Sequence, residues 1–109
     1  MAIAVGNVTT SATTVYTSTG DTVVTFFSIT NYTASTQTAN IWIVPNGSSA
    51  SNLNLAITTL SIAANATTNG DTYQFYVGNE KLIFSNGDTI QVQGSNNSSL
   101  GTIVSYTSA

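Results

Sequence analysis

The sequence contains no Cys, no His and no Arg, and Lys81 is its single cation. Without Cys and His, a thiol nucleophile, a disulfide framework, a Cys/His zinc site and a Ser-His-Asp triad are all excluded. One Lys cannot neutralise several phosphates, so the chain is not expected to bind nucleic acid. The same shortage of positive charge excludes a cationic helix that lies on a membrane surface.

Carboxylates are also scarce, and each of the three Asp lies in a Gly-Asp-Thr triplet, at residues 20–22, 70–72 and 87–89. Such a triplet fits a turn that opens a strand, because Gly supplies a positive φ, Asp bonds to its own backbone and Thr begins the pleat. A calcium loop needs several convergent carboxylates, whereas each triplet has one. The triplets therefore favour turns, with a cation site as the alternative.

The remaining carboxylate, Glu80, stands beside Lys81 in a stretch typical of a hairpin tip. This leaves no paired carboxylates for acid–base catalysis. A GxGxxG or GK[ST] phosphate loop is missing as well. We expect no enzymatic activity, no cofactor and no metal site.

Long hydrophobic runs are absent. Ile41 to Pro45 is among the longest, far below the roughly twenty residues that span a bilayer, and residues 1–6 lack the basic region of a secretory signal. We expect no membrane insertion and no secretion, with a removed signal as the alternative. Six Asn-x-Ser/Thr sequons occur, at Asn7, Asn31, Asn46, Asn65, Asn96 and Asn97. Glycosylation is one reading, but a chain this rich in Asn, Ser and Thr contains several sequons by chance.

Uncharged polar residues take the place of the missing charges, with 20 Thr, 14 Ser and 12 Asn. The chain is nevertheless 41% hydrophobic, which is more than disordered chains carry, and its residue types favour pleated strands. Short apolar stretches alternate with Gly/Asn/Ser turns. This pattern predicts an all-β fold, an antiparallel β-sandwich of about eight strands, immunoglobulin-like or jelly-roll. Residues 1–12 are expected to form an N-terminal arm or first edge strand, and residues 13–109 a single sandwich domain.

Three stretches predict the main strands. Thr22 to Thr30 has apolar residues on both faces, so it is expected to be central, or bulged between Phe26 and Phe27. Ala39 to Val44 and Leu53 to Ile57 follow it. The predicted core consists of Val23, Phe27, Ile29, Ile41, Ile43, Leu55, Phe75, Leu82, Phe84, Ile90, Val92, Val104 and Tyr106.

The aromatic residues suggest a second kind of function. Trp42 and the five Tyr, at positions 16, 32, 73, 76 and 106, would form a sugar-stacking platform if several rings were exposed on one face. In sandwiches such rings commonly pack half-buried, in the core or at a subunit interface. Core or interface packing is therefore favoured over a glycan-binding site.

Five sequence segments follow one another along the chain. They are a Val-Tyr-Thr segment, a long apolar strand that ends in Asn, a strand rich in Ile and Val, a strand rich in Leu, and a final Gly-Asp-Thr-Ile-x-Val segment. These pieces are Val15-Tyr16-Thr17, Val23 to Asn31, Ile41 to Val44, Leu53 to Ile57 and residues 87–92. Their order, over residues 13–106, resembles that of a group of small phage virion proteins. The resemblance implies a β-sandwich that decorates a capsid or builds a tail or fibre, and it brings no catalytic residues.

The sequence thus predicts a non-enzymatic structural protein of a phage virion, first of all a capsid decoration or cement protein bound to the major capsid shell. A tail, baseplate or fibre module is one alternative, and a glycan-binding β-sandwich module is another. The expected partners are the major capsid protein or other virion proteins, with the chain forming a homo-oligomer such as a trimer. The residues expected to contact partners are Ile3, Val5, Val8, Trp42, Asn46, Ser49 and Asn52.

Overall fold

A computed structural model of the chain describes residues 2–64, 72–75 and 82–109, with the main chain alone at 72–75. These residues form nine strands and no helix, so no helix among them could cross a bilayer. The strands are β1 (Ala2–Asn7), β2 (Thr13–Thr17), β3 (Thr22–Asn31), β4 (Gln37–Val44), β5 (Leu55–Ile62), β6 (Thr72–Phe75), β7 (Leu82–Phe84), β8 (Thr89–Gly94) and β9 (Leu100–Ser108).

The chain forms one long antiparallel hairpin that is rolled up on itself. β4 and β5 form its tip, and behind them β3 pairs with β6 and β7, β2 with β8 and β1 with β9. Rolling adds the pairs β3–β9 and β4–β8. The first sheet has the order β1-β9-β3, with β6 and β7 sharing the fourth position, and the second has the order β2-β8-β4-β5.

This strand order identifies the sandwich as a jelly roll. A jelly roll has eight strands in two sheets, and β6 and β7 together occupy one of the eight positions. An immunoglobulin fold would instead place its first, second, fifth and fourth strands in one sheet. The predicted all-β sandwich of about eight strands is confirmed, and the jelly roll is the one of the two predicted architectures that is present.

Alternation along each strand sends one set of side chains into the space between the sheets. β8 shows it most regularly, since half-buried and buried residues alternate over all six of its positions. The buried apolar core consists of Val8, Val15, Tyr16, Val24, Phe27, Ile29, Ala39, Ile41, Ile62, Phe84, Ile90, Val92, Leu100 and Val104. Ile43, Leu82 and Tyr106 pack against it, and the side chain of Phe75 lies outside the described atoms.

A bulge in β3 changes which valine enters the core. The strand is central, as predicted, but its register to β9 shifts between Val24 and Phe26, just before the predicted position. Strict alternation backward from Phe27 reaches Val23, whereas the extra residue of the bulge turns Val24 inward instead. The prediction of Val23 as a core residue is therefore wrong, because Val23 is half-buried and lies outside the core cluster.

β5 begins later than the predicted strand over Leu53 to Ile57. It starts at Leu55 and continues to Ile62, and Leu53 lies before it, 99% exposed. Leu55 stands opposite Trp42 of β4 and lies outside the core cluster, so its assignment to the core is also wrong. The sequence pattern misplaced the strand because the turn that precedes it holds a leucine.

Two of the three Gly-Asp-Thr triplets lie in the described residues, and both are turns. Gly20 and Gly87 have φ angles of 71° and 87°. The Asp88 carboxylate accepts main-chain N–H groups from Asn46 at 2.8 Å and from Ser85 at 2.9 Å. Its oxygens are thus committed to the backbone, and no group of three or more His, Cys, Asp or Glu occurs within the described part of the chain.

A close approach between the sheets depends on Gly6. A Cβ at this position of β1 would lie 2.8 Å from Thr102 Oγ1 and 3.1 Å from Val15 Cγ1, so only glycine fits. Thr102 is 1% exposed, and its hydroxyl has no hydrogen-bond partner among the described residues. The core therefore carries the desolvation cost of one hydroxyl.

We expect Thr102→Val to raise the free energy of unfolding by about 1 kcal/mol, because it removes an unsatisfied buried hydroxyl and keeps the branched shape. Urea denaturation of the two proteins measures the difference. Thr107→Val, on the solvent side of the same strand, serves as the control and should change stability by less than about 0.5 kcal/mol. A loss of stability on Thr102→Val would show that the hydroxyl is satisfied after all.

Candidate interaction surface

The outer faces of the two sheets differ in polarity. On the first sheet Val5 of β1 lies opposite Ile103 of β9, and both side chains point away from the core. Ile3 of β1 and Ile83 of β7 point the same way. The exposed fractions are 67% for Ile3, 76% for Val5, 72% for Ile83 and 42% for Ile103. We call these four residues, together with the half-buried Val23 and Phe26, the apolar face.

The apolar face carries no charge of its own. Among the described residues the charged side chains are Asp21 and Asp88, and both lie in turns at one end of the sandwich. Contact with this face would thus gain its free energy from the removal of apolar surface from water. A contiguous exposed apolar patch on a soluble protein marks a site of interaction.

The outer face of the second sheet is polar by contrast. Amides dominate it, and Asn40 Nδ2 donates to Gln93 Oε1 at 3.2 Å. Trp42, one of the residues predicted to contact partners, lies half-buried opposite Gln91 on this face. Trp42 is therefore on the opposite side of the sandwich from Ile3 and Val5 and cannot share one flat contact with them.

The predicted contact residues Asn46, Ser49 and Asn52 are exposed in the loop of residues 45–54 between β4 and β5. This loop is held by its own hydrogen bonds, since Asn54 Nδ2 donates to Ser49 O at 2.9 Å. Asn46 also has an internal role, because its side chain covers Gly87. The loop presents Leu53 fully to solvent, at the end of the sandwich rather than on the apolar face.

Val8 requires a correction, because it is a core residue and is not available to a partner. Its side chain is fully buried and packs against Gly94, where a Cβ would lie 3.0 Å from Val8 Cγ1. Its N–H donates to Leu100 O at 3.0 Å. The chain turns inward after Asn7, so the apolar side chain at this position fills the space between the sheets.

The described aromatic rings do not form a sugar-stacking platform. Tyr16 is buried, with its ring stacked on Phe84 at 5.9 Å between centroids and tilted against Tyr106 at 4.7 Å. Tyr32 is 42% exposed on the first sheet, whereas Trp42 lies on the second. The side chain of Tyr73 and all of Tyr76 lie outside the described atoms.

A shallow groove of about 160 Å³ opens at the end of β9. Its lining residues are Ala2, Thr19, Thr22, Tyr106, Thr107 and Ser108. The groove offers hydroxyl groups for hydrogen bonding but holds no acid, base or cation. It therefore provides no pair of groups for proton transfer or nucleophilic attack.

Sequence reasoning identified Ile3 and Val5 but missed Ile83 and Ile103. A usable signal was present, because both missed residues stand next to other large apolar residues in their strands. In a strand, neighbouring side chains point to opposite faces, so one member of the pair Ile103-Val104 must point outward. Central strands with apolar residues at consecutive positions thus indicate an apolar outer face.

Comparison with known proteins adds no relative. No protein-family model, no curated protein and no solved structure matches the chain. The functional interpretation therefore depends on the geometry of the two faces and on the chemistry of the described residues.

Proposed function

We propose that the chain is a non-enzymatic structural protein of a virion, a decoration or cement protein that binds the capsid shell through its apolar face. The observation that carries this proposal is the contrast between the two outer faces. Ile3, Val5, Ile83 and Ile103 are exposed together on the first sheet, while the second sheet presents mainly amides and hydroxyls, with Trp42 half-buried among them. One face is suited to burial against a large partner and the other to water.

The fold agrees with this proposal. Jelly rolls occur in viral capsid and lectin domains, although a fold alone does not determine function. The lectin alternative receives less support, because Tyr32 and Trp42 lie on different sheets. The resemblance in the order of sequence elements to small phage virion proteins points in the same direction as the fold.

The small number of charges also suits a protein that works in many copies on a shell. A net charge of −3 gives little repulsion between neighbouring copies. Each contact through one apolar face is modest in size, but many copies or a symmetric oligomer multiply weak contacts through avidity. A decoration protein therefore needs no deep pocket and no strong charge.

We expect Ile103→Lys to weaken binding to shells that lack this protein by at least about 30-fold, because it places a charge directly beside Val5 on the apolar face. Co-sedimentation of the purified protein with such shells measures the affinity. Thr14→Lys adds the same charge to the exposed outer side of β2 in the second sheet and serves as the control. Equal binding by wild-type protein and Ile103→Lys would exclude the apolar face as the contact.

The position of the chain on the particle distinguishes the decoration role from its tail alternative. A cryo-electron map should show many copies on the shell lattice, with the first sheet toward the capsid. Density confined to a ring or stalk at one vertex would instead assign the chain to the tail. Absence from the particle would remove both roles and make a glycan screen the next experiment.

A further inference from the structure

The exposed edge of β1 differs from the other strand edges of the sandwich. β2 forms one edge of the second sheet, and its register is irregular between Thr14 and Tyr16. β5 forms the other, and it is interrupted at Thr59, which has a φ of 52°. The far edge of the first sheet is divided between the short strands β6 and β7. Irregular or short edges resist pairing with another chain.

β1 has none of these protective features. Its six residues pair with β9 in one continuous register, from Ala2 opposite Tyr106 to Asn7 opposite Gly101. The strand contains no Pro, no charged residue and no bulge. A regular, uncharged and partly apolar edge is a template for adding a further strand.

The direction of the backbone groups in β1 follows from its neighbour Val8. The Val8 N–H points toward β9, where it donates to Leu100 O. Because successive residues of an antiparallel strand turn their N–H and C=O groups to opposite sides, the groups of Ile3, Val5 and Asn7 point away from β9. They form a row of donors and acceptors along the free edge.

We propose that β1 pairs antiparallel with β1 of a second copy, so that the two first sheets join into one continuous sheet. The register that places Ile3 opposite Val5 of the second copy sets Ala4 opposite Ala4 at the two-fold axis. It pairs the outward N–H and C=O groups of Ile3 and Val5 and joins the two apolar faces into one surface. This inference concerns the chain alone and goes beyond the proposed function.

A second copy fits this edge better than an unrelated strand for two reasons. An antiparallel pair of identical strands is self-complementary, so the outward N–H and C=O groups of Ile3 in one copy meet those of Val5 in the other, and the reverse. The pair also brings Ile3 and Val5 of both copies together on the outer side, where each is largely exposed in the monomer. Neither strand carries a charge that would oppose the contact.

The oligomeric state of the purified chain tests the pairing. Sedimentation equilibrium should give twice the 11.3 kDa mass. Val5→Pro removes an N–H that points to the free edge and leaves the hydrogen bonds to β9 in place, so the dimer dissociation constant should rise at least about tenfold. Val5→Thr keeps the N–H and should retain the dimer. A monomeric or trimeric wild type, or equal loss in both variants, would overturn the proposal.

Single cysteines test the register, because the chain has no native Cys to interfere. Ala4→Cys should form a disulfide-linked dimer on mild oxidation, since residues paired across a two-fold axis lie within disulfide reach. Ile103→Cys is exposed but one strand away from the axis, and it should remain unlinked. Cross-linking of Ile103→Cys, or none by Ala4→Cys, would contradict the pairing. Shell binding can succeed or fail independently of either result.

Discussion

Replacing Asn31 with Asp should cost about 3–5 kcal/mol of stability at neutral pH. Asn31 is fully buried at the end of β3, and its side chain makes four hydrogen bonds. Nδ2 donates to Ser35 O at 2.8 Å and to Ile62 O at 3.0 Å. Oδ1 accepts the Thr33 N–H at 2.9 Å and the Thr33 hydroxyl at 2.7 Å. These bonds close the β3–β4 loop and attach it to the end of β5.

The substitution Asn31→Asp keeps the shape of the side chain but replaces the Nδ2 donor with an oxygen, which accepts. An ionised carboxylate would place an oxygen against the carbonyls of Ser35 and Ile62, with no donor to separate them. Burial and these two carbonyl groups should raise the pKa of the new carboxyl above the ordinary Asp value of about 3.9. The protonated form can restore one donated bond, so it is the form that the folded protein tolerates.

The pH dependence of Asn31→Asp follows from that raised pKa. Between about pH 4 and the raised pKa, the folded variant binds more protons than the unfolded chain. Its stability relative to wild type should therefore fall as pH rises through this window and become constant above it. Urea denaturation at a series of pH values measures this difference.

Asn97→Asp provides the matched control for Asn31→Asp. Asn97 is exposed, and its Oδ1 accepts the Thr10 N–H at 2.8 Å, a bond that a carboxylate makes equally well. We expect a change of less than about 0.5 kcal/mol. If Asn31→Asp were as mild as this control, the four-bond arrangement around Asn31 would not be present in solution.

The fold class was predictable because it depends on a strong periodic signal. Apolar stretches such as β3 and β4 are separated by turn residues, and β8 alternates regularly between buried and half-buried positions. The exact register was harder to predict, since the apolar residues on both faces of β3 indicated a bulge between Phe26 and Phe27, whereas pairing with β9 places it before Phe26. Residues such as Leu53 also mislead, because an apolar residue in a well-bonded turn looks like the start of a strand.

The residues of the candidate surface were predictable only in part, because strand pairing, which the sequence does not show, decides which residues share a face. Ile3 and Val5 stood out because they lie near the chain terminus, whereas Ile83 and Ile103 belong to different strands that only the roll brings onto one face. Val8 was assigned to the surface because the sequence cannot show where the chain turns inward. A sequence pattern therefore cannot show which residues of distant strands lie side by side on one face of a sheet.

Thr22→Val should destabilise the protein by about 2–4 kcal/mol, in contrast to the gain expected from the same exchange at Thr102. Thr22 is 4% exposed, and its Oγ1 lies 2.8 Å from both Tyr16 OH and Ser18 Oγ. Ser18 Oγ also lies 2.7 Å from Gly20 O. The carbonyl can only accept, so Ser18 donates to it, Thr22 donates to Ser18 and Tyr16 donates to Thr22.

Removing the central hydroxyl of this relay leaves Tyr16 without an acceptor and Ser18 without a donor. Tyr16→Phe removes only the first donor and leaves the Thr22–Ser18–Gly20 bonds intact, so it should cost about 1 kcal/mol. In the Tyr16→Phe background, Thr22→Val should cost about 1 kcal/mol less than it does alone. The Tyr16 hydroxyl, one of the two groups that lose a hydrogen-bond partner in Thr22→Val, is already absent from that background. Independent effects of the two substitutions would show that Tyr16 bonds elsewhere. The sign of a Thr→Val exchange in this core is therefore set by whether the hydroxyl has partners, since the burial of Thr22 and Thr102 is nearly equal.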